Sequence, residues 1–145
     1  MSNKLPISPN KIASECYCFS LKKAARAVAR RYDDALRPYD LNNGQYSMLT
    51  TLAGFEEISI QNLGKFLEMD RTTATAALKP LQRRGLIAIN QSAEDSRIRI
   101  ASITEAGKKV LASAIPAWSM VQKKISSELS PEAGFELRQQ LNLLN

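Results

Sequence analysis

Histidine is absent from all 145 residues. That removes the commonest general base near neutral pH and the commonest metal ligand together. Cysteine occurs only as Cys16 and Cys18, too few to build a metal cage unaided. There is no glycine-rich phosphate loop and no nucleophile elbow, and no pair of carboxylates stands out for acid–base work. These gaps argue against an enzyme and call for no cofactor or metal. No apolar run approaches the length that spans a membrane, and no apolar signal segment stands near the first residues. The expectation is a cytoplasmic protein with no membrane partner. Internal repeats and low-complexity tracts are also missing.

What is present is a basic chain with enough apolar residues, 44%, to bury a core in one domain. The net charge of +6 matters less for its size than for its place. Between residues 60 and 110 nine Lys and Arg stand against five Asp and Glu, which concentrates most of the excess there. Phosphate binding requires such a concentration, although a solvated basic face would look the same from charge alone.

Periodicity predicts a mainly helical fold. Residues 1–11, with Pro6 and Pro9, read as a loose arm. A long helix follows over Ile12 to Leu36, with Tyr17, Leu21, Ala24, Val28, Tyr32 and Ala35 three and four apart. It stops where Arg37 precedes Pro38. Asn42 and Gln45 form a capping box for a second helix with Tyr46, Leu49 and Ala53 inward and Gly54 near its end. Ser59 caps a short helix through Ile60, Leu63, Phe66 and Leu67. Thr104 caps a long helix from Glu105 to Glu128, apolar at Val110, Ala114, Trp118, Val121 and Ile125 and bent at Pro116. Ser130-Pro131-Glu132 opens a last helix bearing Leu137, Leu141 and Leu144.

The most informative stretch runs from Met69 to Gly107. Asp70 can cap a helix beginning Arg71-Thr72-Thr73, because its carboxylate accepts from unpaired first-turn N–H groups. Ala74, Leu78 and Leu81 form its core face; Thr72, Thr75, Ala76 and Lys79 form the other. Pro80 removes one backbone bond, and Gly85 ends the helix where a positive φ is needed. Strands Leu86–Ile89 and Arg97–Ile100 then flank a polar turn from Asn90 to Ser96. This is the layout of a helix-turn-helix followed by a basic wing. The outer helices add more apolar surface than a small core needs, which suggests a dimer. A dimer fits an operator with two half-sites about 10 base pairs apart.

Two signatures match a known family. One is Met69-Asp70-Arg71-Thr72-Thr73 followed by Leu78-x-Pro80-Leu81-x-x-Arg84-Gly85-Leu86. The other is Asp95-x-Arg97-x-Arg99-x-x-x-Ile103-Thr104-x-x-Gly107. Over nearly its whole length the chain resembles the MarR family of bacterial winged helix-turn-helix repressors. The resemblance implies a single unit over 1–145, mainly α with a small β-hairpin wing. Dimerisation helices would lie at about 12–40 and 105–145, around a DNA-binding core at about 41–104. It also implies a homodimer with recognition helices in successive major grooves of a pseudo-palindromic operator in double-stranded DNA. The Arg matched by Arg97 would enter the minor groove, braced by Asp95, and a helical proline at Pro80 would be tolerated. Ala76 stands where many relatives carry a base-reading side chain, so sequence preference does not transfer.

Within that frame, Arg71 can reach a phosphate, while Thr72, Thr73 and Thr75, with Lys79, can meet phosphates or base edges. Ordinary solvent-facing residues at a helix start would look alike. Arg83 and Arg84 are ambiguous, since a cation near a helix C-terminus is favourable without any ligand. Arg97 on a hairpin suits a narrow, electronegative minor groove, and Arg99 serves as a second contact or a spacer. A plain surface hairpin with a weak Asp95–Arg97 ion pair is the alternative. Cys16 and Cys18 stand about 200° apart on the expected helix and cannot bridge there. Buried structural thiols are the commoner fate, and an intersubunit redox disulfide the sharper one. Tyr17, Tyr46 and Trp118 are candidates to line a pocket for a small aromatic or phenolic effector, although each alone is more often core. The expected function is a dimeric transcriptional regulator, a repressor released by a small molecule or a redox signal. A non-specific architectural DNA binder and a helical interaction module are the alternatives.

Overall fold

The computed structural model describes residues 5–145. The first four residues of the expected arm lie outside the described part. The rest of that arm is not loose throughout: the Ser8 hydroxyl accepts from the Lys11 N–H at 3.2 Å and starts α1, Pro9–Glu15. The single long helix expected over Ile12–Leu36 is therefore two helices. Cys16 is extended (φ −75°, ψ 110°) and separates α1 from α2, Tyr17–Leu36. Its Sγ accepts from the Phe19 N–H at 3.4 Å, a weak N-cap. Apolar period survives such a break, which is why it was invisible in the pattern.

Arg37 keeps helical angles despite Pro38 and enters a 3₁₀ turn, Arg37–Tyr39, that ends at left-handed Asp40. Then comes α3, Asn43–Phe55, whose capping box is complete. The Gln45 N–H donates to Asn42 Oδ1 at 2.8 Å, and the Asn42 N–H donates back to Gln45 Oε1 at 3.1 Å. Tyr46, Met48, Leu49 and Leu52 face inward, whereas the expected Ala53 is exposed. A three-residue strand that the sequence reading missed, β1 (Glu57–Ser59), leads into α4, Ile60–Phe66. Phe66 is exposed and meets Phe55 edge-on with ring centroids 5.0 Å apart.

Asp70 then caps α5, Arg71–Arg83, with Ala74, Leu78 and Leu81 fully buried. The carbonyl freed by Pro80 is that of Ala76, on the exposed face where water can serve it. Gly85 takes φ 69°, open to glycine without strain. The wing strands are β2, Ile87–Gln91, and β3, Arg99–Ile103, antiparallel with Ile89 opposite Ala101. They begin later than expected, so Arg97 and Ile98 belong to the turn. β1 pairs on the other edge of β3, giving the order β1-β3-β2.

Thr104 closes the wing and opens α6, Glu105–Leu129. Its hydroxyl donates to the Gly85 carbonyl at 2.7 Å and accepts from the Gly107 N–H at 3.1 Å. A side chain at Gly107 would fall on the Leu86 carbonyl, so the wing can dock this close only with glycine there. Ser130 caps α7, Pro131–Asn142. The core gathers Leu36, Leu41, Leu49, Leu52, Leu63, Leu78, Leu81 and Leu86 beneath the sheet. Outside it, α2 packs on α6, and Arg31 grips Glu128 with two bonds of 2.8 and 2.9 Å. The fold is mainly helical with a small winged sheet. Among the described residues no helix is long and apolar enough to cross a membrane.

Candidate nucleic-acid interface

The recognition-type helix α5 is anchored at its N-terminus by one carboxylate. Asp70 Oδ1 accepts from the Thr73 N–H at 2.8 Å, and Oδ2 from the Thr73 hydroxyl at 2.7 Å. The Thr73 hydroxyl, aided by first-turn N–H groups, holds the Asp70 carboxyl below its ordinary value. The Thr75 hydroxyl donates to the Arg71 carbonyl at 2.7 Å. Two of the three threonines expected to face a ligand thus spend their protons internally and offer only lone pairs outward. Arg71, Thr72 and Lys79 remain exposed, and Thr75 is half-buried.

The wing turn is closed by backbone bonds from Ser92 N–H to the Ile98 carbonyl and from Ile98 N–H to the Asp95 carbonyl, both 2.9 Å. Asp95 also receives the Arg97 backbone N–H and Nε at 3.0 Å and Nη2 at 2.9 Å. Arg97's side-chain bonds hold the Asp95 carboxyl down and raise the guanidinium's own value. Asp95 is half-buried while the Arg97 side chain is 89% exposed, so the carboxylate aims a cation that still faces solvent. The pairing fixes geometry more than it adds stability, because a surface ion pair is screened by water.

Arg71 from α5, Arg97 from the wing turn and Arg99 from β3 meet around one small cleft of about 50 Å³. Ser59, Ile60, Gln61 and Ile98 complete its wall. From the sequence, helix and wing are separate contributors, and no pattern marks Gln61 as part of the site. The one available signal was Ser59, whose capping of α4 leaves Gln61 exposed in the first turn. Convergent guanidiniums beside polar groups can hold a phosphate by charge-assisted bonds. Lys79 and Thr72 lie outside this cleft on the outer face of α5.

The remaining candidates separate. Tyr46 and Trp118 stack with centroids 6.4 Å apart and planes 15° apart. With Tyr32, Asn43, Ser47, Thr50, Thr51 and Ile115 they line a cavity of about 530 Å³. Tyr17 lies elsewhere, 85% exposed at the start of α2. Tyr32, unnoticed as a pocket residue, is buried and donates from its hydroxyl to Gln122 Oε1 at 2.6 Å. Burial raises both the Tyr32 and Tyr46 phenols, so each stays protonated at neutral pH. Cys16 is half-buried and Cys18 exposed. Within one chain neither thiol is in the core, because the helix break and the open face of α2 leave them outside it.

Residues 41–98 match the family model described as the MarR family. The HTH-type transcriptional regulator SarZ of Staphylococcus aureus is 28% identical over 101 residues, covering 70% of this chain and 68% of SarZ. Among solved structures, the Mycobacterium tuberculosis transcriptional regulator MosR in complex with DNA is 30% identical with a TM-score of 0.80, over 90% of this chain and 93% of that one. A mutant MarR from E. coli complexed with operator DNA shares the fold at 17% identity, with a TM-score of 0.85 over 94% and 99% of the two chains. Matched by the family model from the helix-turn-helix to the wing turn, and over 90% of its length by the 30%-identical MosR, the chain belongs to the MarR family.

Proposed function

We propose that this protein is a homodimeric transcriptional regulator, cytoplasmic and most simply a repressor, that binds a pseudo-palindromic operator. The convergence of Arg71 from α5 with Arg97 and Arg99 from the wing turn and β3 on one cleft carries this reading. Two phosphate-reaching elements fixed relative to each other are what a groove-spanning contact needs. Thr72 and Lys79 meet the major groove, with Thr73 and Thr75 as acceptors. Arg97, braced by Asp95, enters the flanking minor groove. That MosR and MarR were solved with DNA supports the same reading.

The second copy joins along α2, α6 and α7. In one chain these helices leave an apolar groove of about 580 Å³, walled by Leu21, Val28, Ile125, Leu129, Leu137 and Leu141. Residues 12–40 and 105–145 form this dimerisation part and 41–104 the DNA-binding core.

Release follows from a signal that alters the dimer. The cavity around Tyr46 and Trp118 has stacked aromatics, hydroxyls and an amide but no charged wall residue. It therefore suits a neutral phenol or similar small aromatic. Cys18 is exposed and lies three residues before Leu21, a wall residue of the dimer groove, on α2. Peroxide could join its thiol to the partner copy's thiol as a disulfide, releasing two waters.

Fluorescence anisotropy at fixed near-physiological salt tests the reading. The duplex upstream of the protein's own gene is compared with a scrambled duplex of equal composition. A preference of about a hundredfold or more is expected. Equal binding to every duplex tried would replace it with architectural binding. Binding that is unchanged by phenols, peroxide and reductant would remove the release step.

A further inference from the structure

We propose that Arg84 is a positioning residue that sets the tilt of the recognition helix against the dimer platform, and so the half-site spacing the dimer accepts. The proposal rests on the operator-binding reading above. Arg84 stands at the C-cap of α5, where a cation would be favourable even if it simply pointed to water. It does not point there. Its Nη1 donates to the Asp40 backbone carbonyl at 2.6 Å, and Nη2 lies 3.4 Å from the Asp40 carboxylate. The side chain is 30% exposed, and its partner is 44 residues away in sequence.

Asp40 is a joint. It is left-handed (φ 55°, ψ 39°) and closes the 3₁₀ turn that links α2 to α3. That turn also packs against α6, so it belongs mechanically to the two platform helices. A carbonyl at a left-handed residue is turned out of the helical ladder, and here the guanidinium meets it. The last turn of α5 is thus tied to the point where the platform enters the DNA-binding core. Leverage makes the tie consequential. α5 has 13 residues, about 20 Å at 1.5 Å per residue. A rotation of about 10° about the Arg84 end would carry Arg71 by roughly 3 Å, close to the rise of one base pair.

The chemistry demands arginine. A planar fork can donate to a carbonyl and face a carboxylate at once, which an ammonium on a flexible stem does not reproduce. The open groove beside the tie, about 470 Å³ and lined by Asp33, Arg37, Asn42 and Gln45 as well, leaves room for it to let go without opening the leucine core.

The test uses the full-length dimer and its operator at native spacing, with one base pair inserted between half-sites, with one deleted, and as a lone half-site. The unaltered protein should lose about tenfold or more in affinity for either altered spacing. Arg84→Met should bind all three spacings within about threefold of one another while keeping lone half-site affinity within about twofold. Arg84→Lys should behave like Arg84→Met, and Asp40→Asn, which keeps the carbonyl but loses the carboxylate, should fall between Arg84→Met and the unaltered protein. Retained tenfold discrimination in Arg84→Met and Arg84→Lys overturns the proposal. So does a parallel loss at native spacing and at the half-site, the mark of a direct contact or a folding role. If the unaltered dimer prefers its operator but ignores spacing, only the positioning role fails. If it shows no operator preference, the regulatory reading fails with it.

Discussion

The winged core and the outer helices are built from similar leucines and end in opposite states. In the core, Leu49, Leu52, Leu63, Leu78 and Leu81 have no exposed surface at all. On the outer helices Leu21 is 38% and Leu137 44% exposed, and Leu144, in the turn just past α7, is 67% exposed. Side-chain caps do not separate the two regions, since Asn42, Ser59 and Asp70 cap the core helices and Thr104 and Ser130 cap α6 and α7; burial does. One region is finished within a single chain, and the other presents an apolar face still to be covered. Local closure and a deferred surface are the two requirements of a regulator that reads DNA with one part and counts copies with the other.

Four perturbations would break or sharpen that contrast. The largest effect belongs to the closed region. Leu78→Ala should cost about 2–5 kcal/mol, because the surrounding helices cannot collapse into the space. Urea unfolding would show it, together with lost DNA binding. Next comes the open region, where Leu137→Glu should leave the unfolding of the winged core intact. It should raise the dimer dissociation constant on the order of a hundredfold or more, since a carboxylate would be forced into an apolar contact. Sedimentation equilibrium decides, and an undisturbed dimer would mean that this face is not the dimer surface.

At the interface itself, Arg97→Ala should lower operator affinity on the order of tenfold and reduce the salt slope by about one. Its circular dichroism should be unchanged. The smallest effect is electrostatic. Thr73's hydroxyl at Asp70 and Arg97's guanidinium at Asp95 hold both carboxyls below their ordinary value of 3.8. A depressed folded value means these groups add stability above about pH 4 and lose it as pH falls through the folded values. The melting temperature should therefore be flat from neutrality to about pH 5 and decline below about pH 4. Asp70→Asn should show a shallower decline.

Most of α3 to α6 was legible because the signals there are local. A capping box, an Asp N-cap, a Gly at positive φ and a Thr cap each act within four residues, and each stands where expected. What escaped reading was set by distant partners. β1 is three residues long, too short for alternation to register, and it exists because β3 offers an edge. Leu52 rather than Ala53 faces inward because the helix turns to meet the core, and both fit the period. At the site, Asp95 and Arg97 could be paired from their spacing of two. That Arg71 shares their cleft could not, since 26 positions separate it from Arg97.

By itself the sequence determined most of the helices from α3 onward, the two wing strands to within a few residues, the main caps, the basic segment and the family signatures, because these depend on neighbours along the chain. Tertiary structure alone decided the break at Cys16, the convergence of three arginines and the tie from Arg84 to Asp40. It also decided which leucines are covered and which are not. Those outcomes depend on which surfaces meet after the chain has turned back on itself, and no periodicity records that.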